Sequence, residues 1–423
     1  MLWIDLKPLG TSRDFRILFT VRVLSLLGVG LATVAIPIQV YDLTASSLQV
    51  AAVGAVLGVG ILAGTLCGGV LADLYSRRAL VVWSRGLAVL VFAALTVNAA
   101  LPAPQMWIIY ACAAVNGATA FGQAAMNALA QTAVPREQLT AASALLALST
   151  QVGAVVGPLI GGVLISAVGL FWLYAVTAAM ILFGAALSVP LSPTSRGVPG
   201  EVRPWSALRE GAEFMWRASV VRGVLLVDVA AMVFAMPRVL FPQLTDEAFG
   251  GSATVTGALY SASAVGAMAA ALTSGWVSRP RRSGLVLLGS VALFGLATGL
   301  VGPAPLPLAL VLLAVAGAAD MVSEILRRSI LTAATPDDLQ GRVNGVWLAQ
   351  AMVGPSLGGV EAGLGARLAG PRSAITLGGG ICVALTALLG ATSPPLRRVS
   401  LSGPEAAAAP IAADPGGAAD PAR

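Results

Sequence analysis

Long apolar runs separated by short polar breaks are the main pattern along the chain. A helix needs about 20 predominantly apolar residues to cross the hydrocarbon of a bilayer. Runs of suitable length lie near residues 15–41, 47–71, 80–101, 106–130, 139–168, 170–189, 223–244, 253–276, 284–301, 305–326, 343–368 and 374–389. The pattern predicts an all-α integral membrane protein with about twelve transmembrane helices in two six-helix bundles.

The polar segments divide this layout into five parts. The segment after Arg398 is rich in Ala, Pro and Gly, a composition typical of disorder. The predicted parts are a cytoplasmic N-terminus (1–14), an N-terminal bundle (15–190), a cytoplasmic central loop (191–222), a C-terminal bundle (223–398) and a disordered cytoplasmic tail (399–423).

The composition excludes a soluble protein. Hydrophobic residues make up 57% of the chain and charged residues 10%, and the mean hydropathy is +0.87. An average soluble domain is about a quarter charged. Cys67, Cys112 and Cys382 lie in apolar runs without pairing or ligand spacing, and the chain has no histidine. We therefore expect neither a disulfide nor a metal site.

Basic residues mark one side of the predicted membrane. They include Arg77, Arg78 and Arg136, the arginines of the central loop, and Arg397 with Arg398, whereas the loops LPAPQM and GPAPLP on the other side have no base. This bias predicts that both termini lie on the cytoplasmic side of a bacterial cytoplasmic (inner) membrane. It also accounts for the net charge of +6, so no nucleic-acid partner is expected. The expected partners are the lipid bilayer and a small-molecule substrate, and the protein is expected to be a monomer.

The two predicted bundles resemble each other in sequence. Residues 21–23 (VRV) in the first helix match 227–229 (VDV) in the seventh, and residues 155–162 (VVGPLIGG) match 352–359 (MVGPSLGG). A parallel duplication of six-helix halves is the layout of transporters whose halves rock about a cavity at the membrane midplane.

Two motifs carry a resemblance to the major facilitator superfamily. The segment GVLADLYSRR resembles its motif A, through Gly69, Asp73, Arg77 and Arg78. The fifth helix resembles its motif C, which goes with antiporters in that superfamily, through Gly153, Gly157, Pro158, Gly161 and Gly162. From about Arg13 to Arg398 the chain most resembles the enterobactin (siderophore) exporter branch, in order through the segments FRILFTVRVLSLL, GGVLADLYSRRALVVWSRG, RVLFPQL, ALTSG and TPDDLQGRVNGVWLAQ. Leu74 and Ser76 depart from motif A, and Ala113 stands where motif B has an arginine.

The resemblance implies alternating access and a role for motif A. Asp73 would meet the positive N-terminal end of the eleventh helix, near residues 341–344, as a latch between the halves that closes only in the outward-open state. The substrate would then be bound elsewhere, on the helices that carry Arg22 and Asp228.

Charged and polar residues inside the spans are the candidate cavity residues, because a charge there needs a partner or water. Pseudo-symmetry places Arg22 and Asp228 on opposite walls of one cavity, where they could form a static ion pair or a gating pair. Arg22 could instead bind an anionic substrate. Asn116, Gln123 and Asn127 line one face of the fourth helix, for substrate contact or for interhelical hydrogen bonds.

Proton coupling must use carboxylates, since histidine is absent. The candidates are Asp228, Asp320, Glu324 and Glu361. Asp320, Glu324 and Arg328 share a face of the tenth helix, with Arg327 beside them, a group suited either to proton exchange or to a solvated salt-bridge cluster. Glu361 lies towards the outer side, as a gate contact with Arg367 or Arg238 or as a proton exit.

The sequence offers no chemistry for an enzyme. It has no phosphate-binding G-x-x-x-x-G-K-[ST] loop, no Ser/His/Asp set and no cofactor motif. We therefore expect a secondary active exporter of an amphipathic organic molecule such as a siderophore, powered by the proton gradient as an antiporter and without a cofactor. The alternatives are a broad-specificity drug or metabolite exporter of the same fold and a non-transporting membrane scaffold or sensor.

Overall fold

The computed structural model describes residues 6–191, 204–277 and 282–401, and at positions 69, 70, 72, 73, 124, 131 and 204–208 it describes the backbone only. Regular structure in these ranges is helical throughout. The helices are α1 (Lys7–Thr11), α2 (Arg13–Thr44), α3 (Ser47–Leu74), α4 (Arg77–Ala100), α5 (Met106–Ala118), α6 (Phe121–Thr132), α7 (Leu139–Ser188), α8 (Pro204–Arg217), α9 (Ser219–Phe234), α10 (Phe241–Ala248), α11 (Ala253–Leu272), α12 (Ser283–Val301), α13 (Leu306–Ala333), α14 (Gln340–Thr392) and α15 (Pro394–Arg398). The all-α membrane fold is as predicted.

Two of the helical runs are too long to cross a membrane once. Within the described ranges nine runs are long and apolar enough to span, and two of them, Arg136–Ser188 and Gln340–Thr392, have 53 residues each. A continuous helix of that length would measure about 80 Å, against a hydrocarbon thickness of about 30 Å. Each run is interrupted by a glycine with positive φ, Gly169 at 86° and Gly370 at 80°, a conformation that glycine adopts without steric cost.

The chain reverses direction at both glycines. Successive residues of α7 first ascend and then descend along α2, in the pairs Gly153–Leu26, Gly161–Leu31, Tyr174–Gln39 and Gly184–Val21. The run from α14 into α15 does the same along α9, in the pairs Gln350–Asp228, Gly358–Val233, Gly378–Phe234 and Leu396–Gly223. Each long run is therefore a helical hairpin, as the twelve-helix layout requires, although the count itself stays a prediction.

Two predicted spans are broken. The fourth is divided into α5 and α6 at Thr119, whose hydroxyl donates to the Asn116 carbonyl at 2.6 Å. Such a side-chain bond to the preceding turn bends helices. The seventh is divided into α9 and α10 at Pro237, which cannot donate a backbone hydrogen bond. Hydropathy alone predicts both spans as continuous helices, because a single Thr or Pro lowers the mean hydropathy of such a run only slightly.

The central segment differs from the predicted loop. Residues 204–217 form α8, whose Met215 is buried in the core of the C-terminal half. Glu210 forms an ion pair with Arg342 on α14, and Gly211 lies against the Arg342 carbonyl. The linker helix is thus fixed to the C-terminal half. The greater part of the predicted disordered tail, from residue 402 onward, lies outside the described residues.

The halves meet in two interfaces of similar construction. Gly162 on α7 faces α11, where a Cβ on Gly162 would lie 2.4 Å from the Ala253 carbonyl oxygen and 3.0 Å from the Gly257 Cα atom. On the other side, α14 meets α3, where a Cβ on Gly363 would lie 3.0 Å from the Leu48 Cα atom. Glycines let these helices approach backbone to backbone.

Except for the Ser261–Val155 bond, which lies about half-way along both helices, the hydrogen bonds described between the two bundles lie at one end of the molecule. Ser47 on α3 donates to Gln243 on α10 at 2.6 Å, and Ser261 on α11 donates to the Val155 carbonyl at 2.8 Å. One apolar cluster also joins α2 to α10 there. This end is opposite the cytoplasmic ends predicted from the basic residues.

Candidate functional site

Arg22 is held in the N-terminal half by neutral partners. Its guanidinium donates to Asn127 Oδ1 at 2.8 Å, to Thr150 Oγ1 at 3.1 Å and to Ser149 Oγ at 3.3 Å. These acceptors come from α6 and α7, which pack on either side of α2. They fix the orientation of the guanidinium and leave its positive charge uncompensated.

Arg85 is a second cation in the same region, and the sequence predictions missed it. It lies on α4, and its Nη2 atom is 3.4 Å from the sulfur of Met126, the neighbour of Asn127 on α6. Its Nε atom is buried and has no hydrogen-bond partner among the residues that the structure describes. A signal was present in the sequence, because Arg85 is the only charge inside the apolar run 80–101, where a charge costs at least about 2.5 kcal/mol on insertion scales.

The C-terminal half contains a fully buried ion pair between Asp228 on α9 and Arg327 on α13. Both side chains are almost inaccessible, 0% and 2% exposed. Gln350 Nε2 on α14 donates to the second oxygen of Asp228 at 2.7 Å. Three helices of the C-terminal half therefore meet at Asp228.

Arg327 is shared by three carboxylates. Besides Asp228, its Nη2 atom lies 3.0 Å from Asp320 Oδ1 and 3.4 Å from Glu324 Oε2. Arg328 binds the other oxygen of Glu324 at 2.5 Å. The spacings of seven and three residues along α13 place Asp320 and Glu324 on the same face as Arg327. Asp228, Asp320, Glu324 and Arg327 are called the acidic cluster below.

A small cavity opens beside the acidic cluster, with a volume of about 120 Å³. Its lining combines the charged groups Asp320, Glu324 and Arg327 with Met232, Met236 and Met321. Methionine side chains adapt to ligands of different shape, because they are unbranched and polarisable.

Arg22 and Asp228 occupy equivalent positions in the two halves but bind separate partners. Each bonds within its own half, and the structure describes no contact between them. The predicted direct ion pair is absent from this conformation. Of the polar row on α5 and α6, Asn127 reaches Arg22, Gln123 donates to Asn127 at 3.5 Å, and Asn116 lies at the helix break.

Glu361 lies apart from the acidic cluster. It is half-buried on α14 between Gly359 and Gly363, the glycines that face α3 at the closed end of the molecule. Within the described part of the chain it forms no ion pair with Arg367 or Arg238, the partners that the sequence suggested.

Motif A is described in part. The side chains of Gly69 and Asp73 lie outside the described residues. Arg77 begins α4, and Arg78 donates to the Val189 carbonyl at the end of α7. Ser76, a departure from the motif, caps α4 by accepting from the Ala79 amide at 3.3 Å, which typically stabilises a helix by about 1 kcal/mol.

The motif C residues hold α7 against two neighbours. Gly153 and Gly157 face α2, where a Cβ on Gly157 would lie 2.6 Å from the Gly30 Cα atom. Gly161 also faces α2, whereas the carbonyl of Pro158 and Gly162 face α11 in the other half. The motif thus joins the packing inside one bundle to the contact between the bundles.

Comparison with known proteins identifies the family. Residues 5–406 match the model described as transmembrane secretion effector. The chain belongs to this family of major facilitator transporters. Enterobactin exporters EntS from Shigella boydii and Escherichia coli are 35% identical over 387 residues, which cover 90% of this chain and 92% of each relative.

Solved transporters share the fold of this secretion effector family member. The nucleoside transporter NupG superposes with a TM-score of 0.72 at 13% identity, covering 90% of this chain and 98% of NupG. A peptide transporter POT in complex with sulfate superposes with a TM-score of 0.71 at 14% identity, covering 93% and 96%. The chain is therefore a multi-pass membrane transporter of a small molecule, not an enzyme.

Proposed function

We propose that the protein exports a siderophore from the bacterial cytoplasm by alternating access, driven by proton antiport. The observation that carries the substrate class is the 35% identity to enterobactin exporters over nearly the whole length of both chains. The proposal includes a monomeric protein in the inner membrane with both termini cytoplasmic. It also includes the proton gradient as the energy source, without nucleotide hydrolysis or a cofactor.

The arrangement of the halves supports the loading step of this cycle. Except for one bond at mid-helix, the described polar bonds between the bundles lie at the end opposite the predicted cytoplasmic face, an arrangement that supports an inward-facing state. In this state the motif A latch would be open. Arg342, beside its proposed docking position, instead pairs with Glu210 of α8.

The acidic cluster supports the coupling step. Arg327 faces three carboxylates, and even with Arg328 paired to Glu324 the group keeps one excess negative charge. A proton on Asp320 would remove one of its three anionic partners and change the balance of attraction between α13 and α9. A proton that binds one conformation more tightly than the other shifts the population between them, and the substrate is affected in the reciprocal sense.

The substrate is tested in a host that lacks its own enterobactin exporter and carries this chain instead. We expect iron-starved cells to regain secretion of enterobactin, measured as extracellular catechol chelator. If secretion stays at the level of the deletion strain while the protein is present in the membrane, the siderophore proposal is wrong.

Coupling is tested in everted membrane vesicles with an imposed pH gradient. Asp320→Asn should abolish gradient-driven accumulation and retain gradient-independent exchange of substrate. Asp338→Asn, at an exposed loop position, is the matched control. Unchanged gradient-driven accumulation in the Asp320 variant and in Asp228→Asn, Glu324→Gln and Glu361→Gln would exclude coupling through these carboxylates.

One observation favours a second candidate, a broad-specificity drug or metabolite exporter. The three methionines that line the small cavity suit ligands of varied shape. Export of several unrelated amphipathic compounds by the complemented host, at rates similar to that of enterobactin, would favour this function over siderophore export. A non-transporting scaffold or sensor would export none of them.

A further inference from the structure

Two arginines from different helices converge on one short stretch of α6. Arg22 on α2 reaches Asn127, and Arg85 on α4 reaches Met126, the preceding residue. Both arginines are half-buried. Each side chain is therefore partly accessible and partly shielded from solvent.

This pair of guanidinium groups has no counter-charge in the described part of the chain. Neither Arg22 nor Arg85 forms an ion pair with a described carboxylate, whereas Arg327 in the other half has three. Two like charges close together in a medium of low dielectric constant repel each other. An anion bound between them would relieve this repulsion and complete the hydrogen bonding of the region.

The surroundings of Arg22 are suited to a ligand that comes and goes. Asn127 and Thr150 are exposed polar residues and accept from Arg22 as neutral groups. They orient the planar guanidinium but can be exchanged for an incoming carboxylate or catecholate, which would make stronger, charge-assisted bonds. Arg85 adds a buried Nε atom for which the described part of the chain offers no hydrogen-bond partner.

We propose that Arg22 and Arg85 together bind an anionic group of the exported molecule, a carboxylate or an ionised catechol. The proposal rests on the proposed exporter function and adds the charge of the substrate and the residues that recognise it. It makes Arg85 a substrate-binding residue and separates the substrate site in the N-terminal half from the acidic cluster in the C-terminal half.

The binding test uses purified full-length protein in lipid nanodiscs and two probes of nearly equal shape. 2,3-Dihydroxybenzoate is an anion at neutral pH, and 2,3-dihydroxybenzamide is its neutral counterpart. We expect wild-type protein to bind the benzoate at least about tenfold more tightly than the amide. Arg85→Gln and Arg22→Gln should each remove most of this preference, and Arg85→Lys should keep part of it because it keeps the charge.

Arg16→Gln is the matched control, since Arg16 lies on the same helix with its side chain exposed. It should retain the preference for the anion. If Arg85→Gln lowers thermal stability but leaves the benzoate-to-amide ratio unchanged, Arg85 is a structural residue and the proposal is wrong. Equal affinity of wild-type protein for both probes, with no tightening of amide binding as its catechol ionises at higher pH, also overturns it, and so does the absence of saturable binding of either probe.

A second measurement separates this proposal from the proposed function. Export of enterobactin with an unchanged rate in Arg85→Gln would leave the exporter function standing and exclude the anion site. An arginine-dependent preference for the benzoate without export of enterobactin would retain the anion site and exclude the siderophore as substrate.

Discussion

Arg22 and Asp228 stand at equivalent places in two halves of similar fold, yet their surroundings are opposite. Arg22 is bound by neutral oxygens, and close to it lies a second cation, Arg85, that pairs with none of the described carboxylates. Asp228 is fully buried and receives charged bonds from Arg327 together with a bond from Gln350. The two halves share the packing of their helices and differ in the charges around these two positions. We infer that the N-terminal half binds the charged group of the substrate and that the C-terminal half binds the proton.

The largest expected effect is the loss of stability when Asp228 of the acidic cluster is replaced. Asp228→Ala leaves Arg327 buried without its most enclosed partner, so the free energy of unfolding should fall by about 3 kcal/mol. Chemical unfolding in mixed micelles measures the change. The double variant Asp228→Leu with Arg327→Met should recover most of the stability, because it removes both charges. Wild-type stability of the single variant would show that the buried pair does not hold the half together.

An effect of intermediate size concerns the contact between α7 and α11, which joins the two halves. Gly162→Leu would drive a side chain into the Ala253 carbonyl, and overpacking of this kind costs about 1–3 kcal/mol. The end at which the bundles are hydrogen-bonded, predicted to be the outer one, should open more often. Thr150→Cys and Met321→Cys report from either half, in a background with Cys67→Ser, and both should become more reactive to an external thiol reagent.

The control for this experiment is Gly54→Ala, where an added Cβ meets open space. It should leave both reporter rates unchanged. If the Gly162 variant raised only one of the two rates, the Arg22 site and the acidic cluster would not share a common cavity. The proposed separation of substrate and proton sites along that cavity would then be wrong.

The smallest expected effect on stability comes from replacing Arg22 in the N-terminal half. Arg22→Gln leaves neutral partners behind, of which Asn127 and Thr150 are exposed and the buried Ser149 still donates to the Leu146 carbonyl. The free energy of unfolding should therefore change by less than about 1 kcal/mol, although transport should be lost. Unfolding and export measured on the same preparations test this contrast. A loss of stability as large as that of Asp228→Ala would mean that Arg22 serves packing and not the substrate.

Hydropathy and duplication predicted the fold because both depend on local or repeated sequence. The apolar runs predicted the helices, and the VRV and VDV matches identified Arg22 and Asp228 as equivalent positions. The partners could not be predicted in the same way. Gln350 lies 122 residues from Asp228, and only the packing of α14 on α9 brings them together.

Other features were missed although the sequence contained a signal. Arg85 interrupts an apolar run as clearly as Arg22 does, but it has no charged counterpart in the other half to attract notice. The helix α8 lies in a segment whose average polarity indicates a loop. Its buried Met215 and its ion pair with Arg342 depend on a docking surface that the segment itself does not reveal.

The docking of α8 also decides how the protein can be divided into fragments. Since α8 packs on the C-terminal half through Met215 and Glu210, a cut for split expression belongs before Pro204 and not after Arg217. A C-terminal fragment that begins with α8 would bring its own cover for the core beneath it. A fragment that begins at α9 would expose that core to solvent and to the translocation machinery.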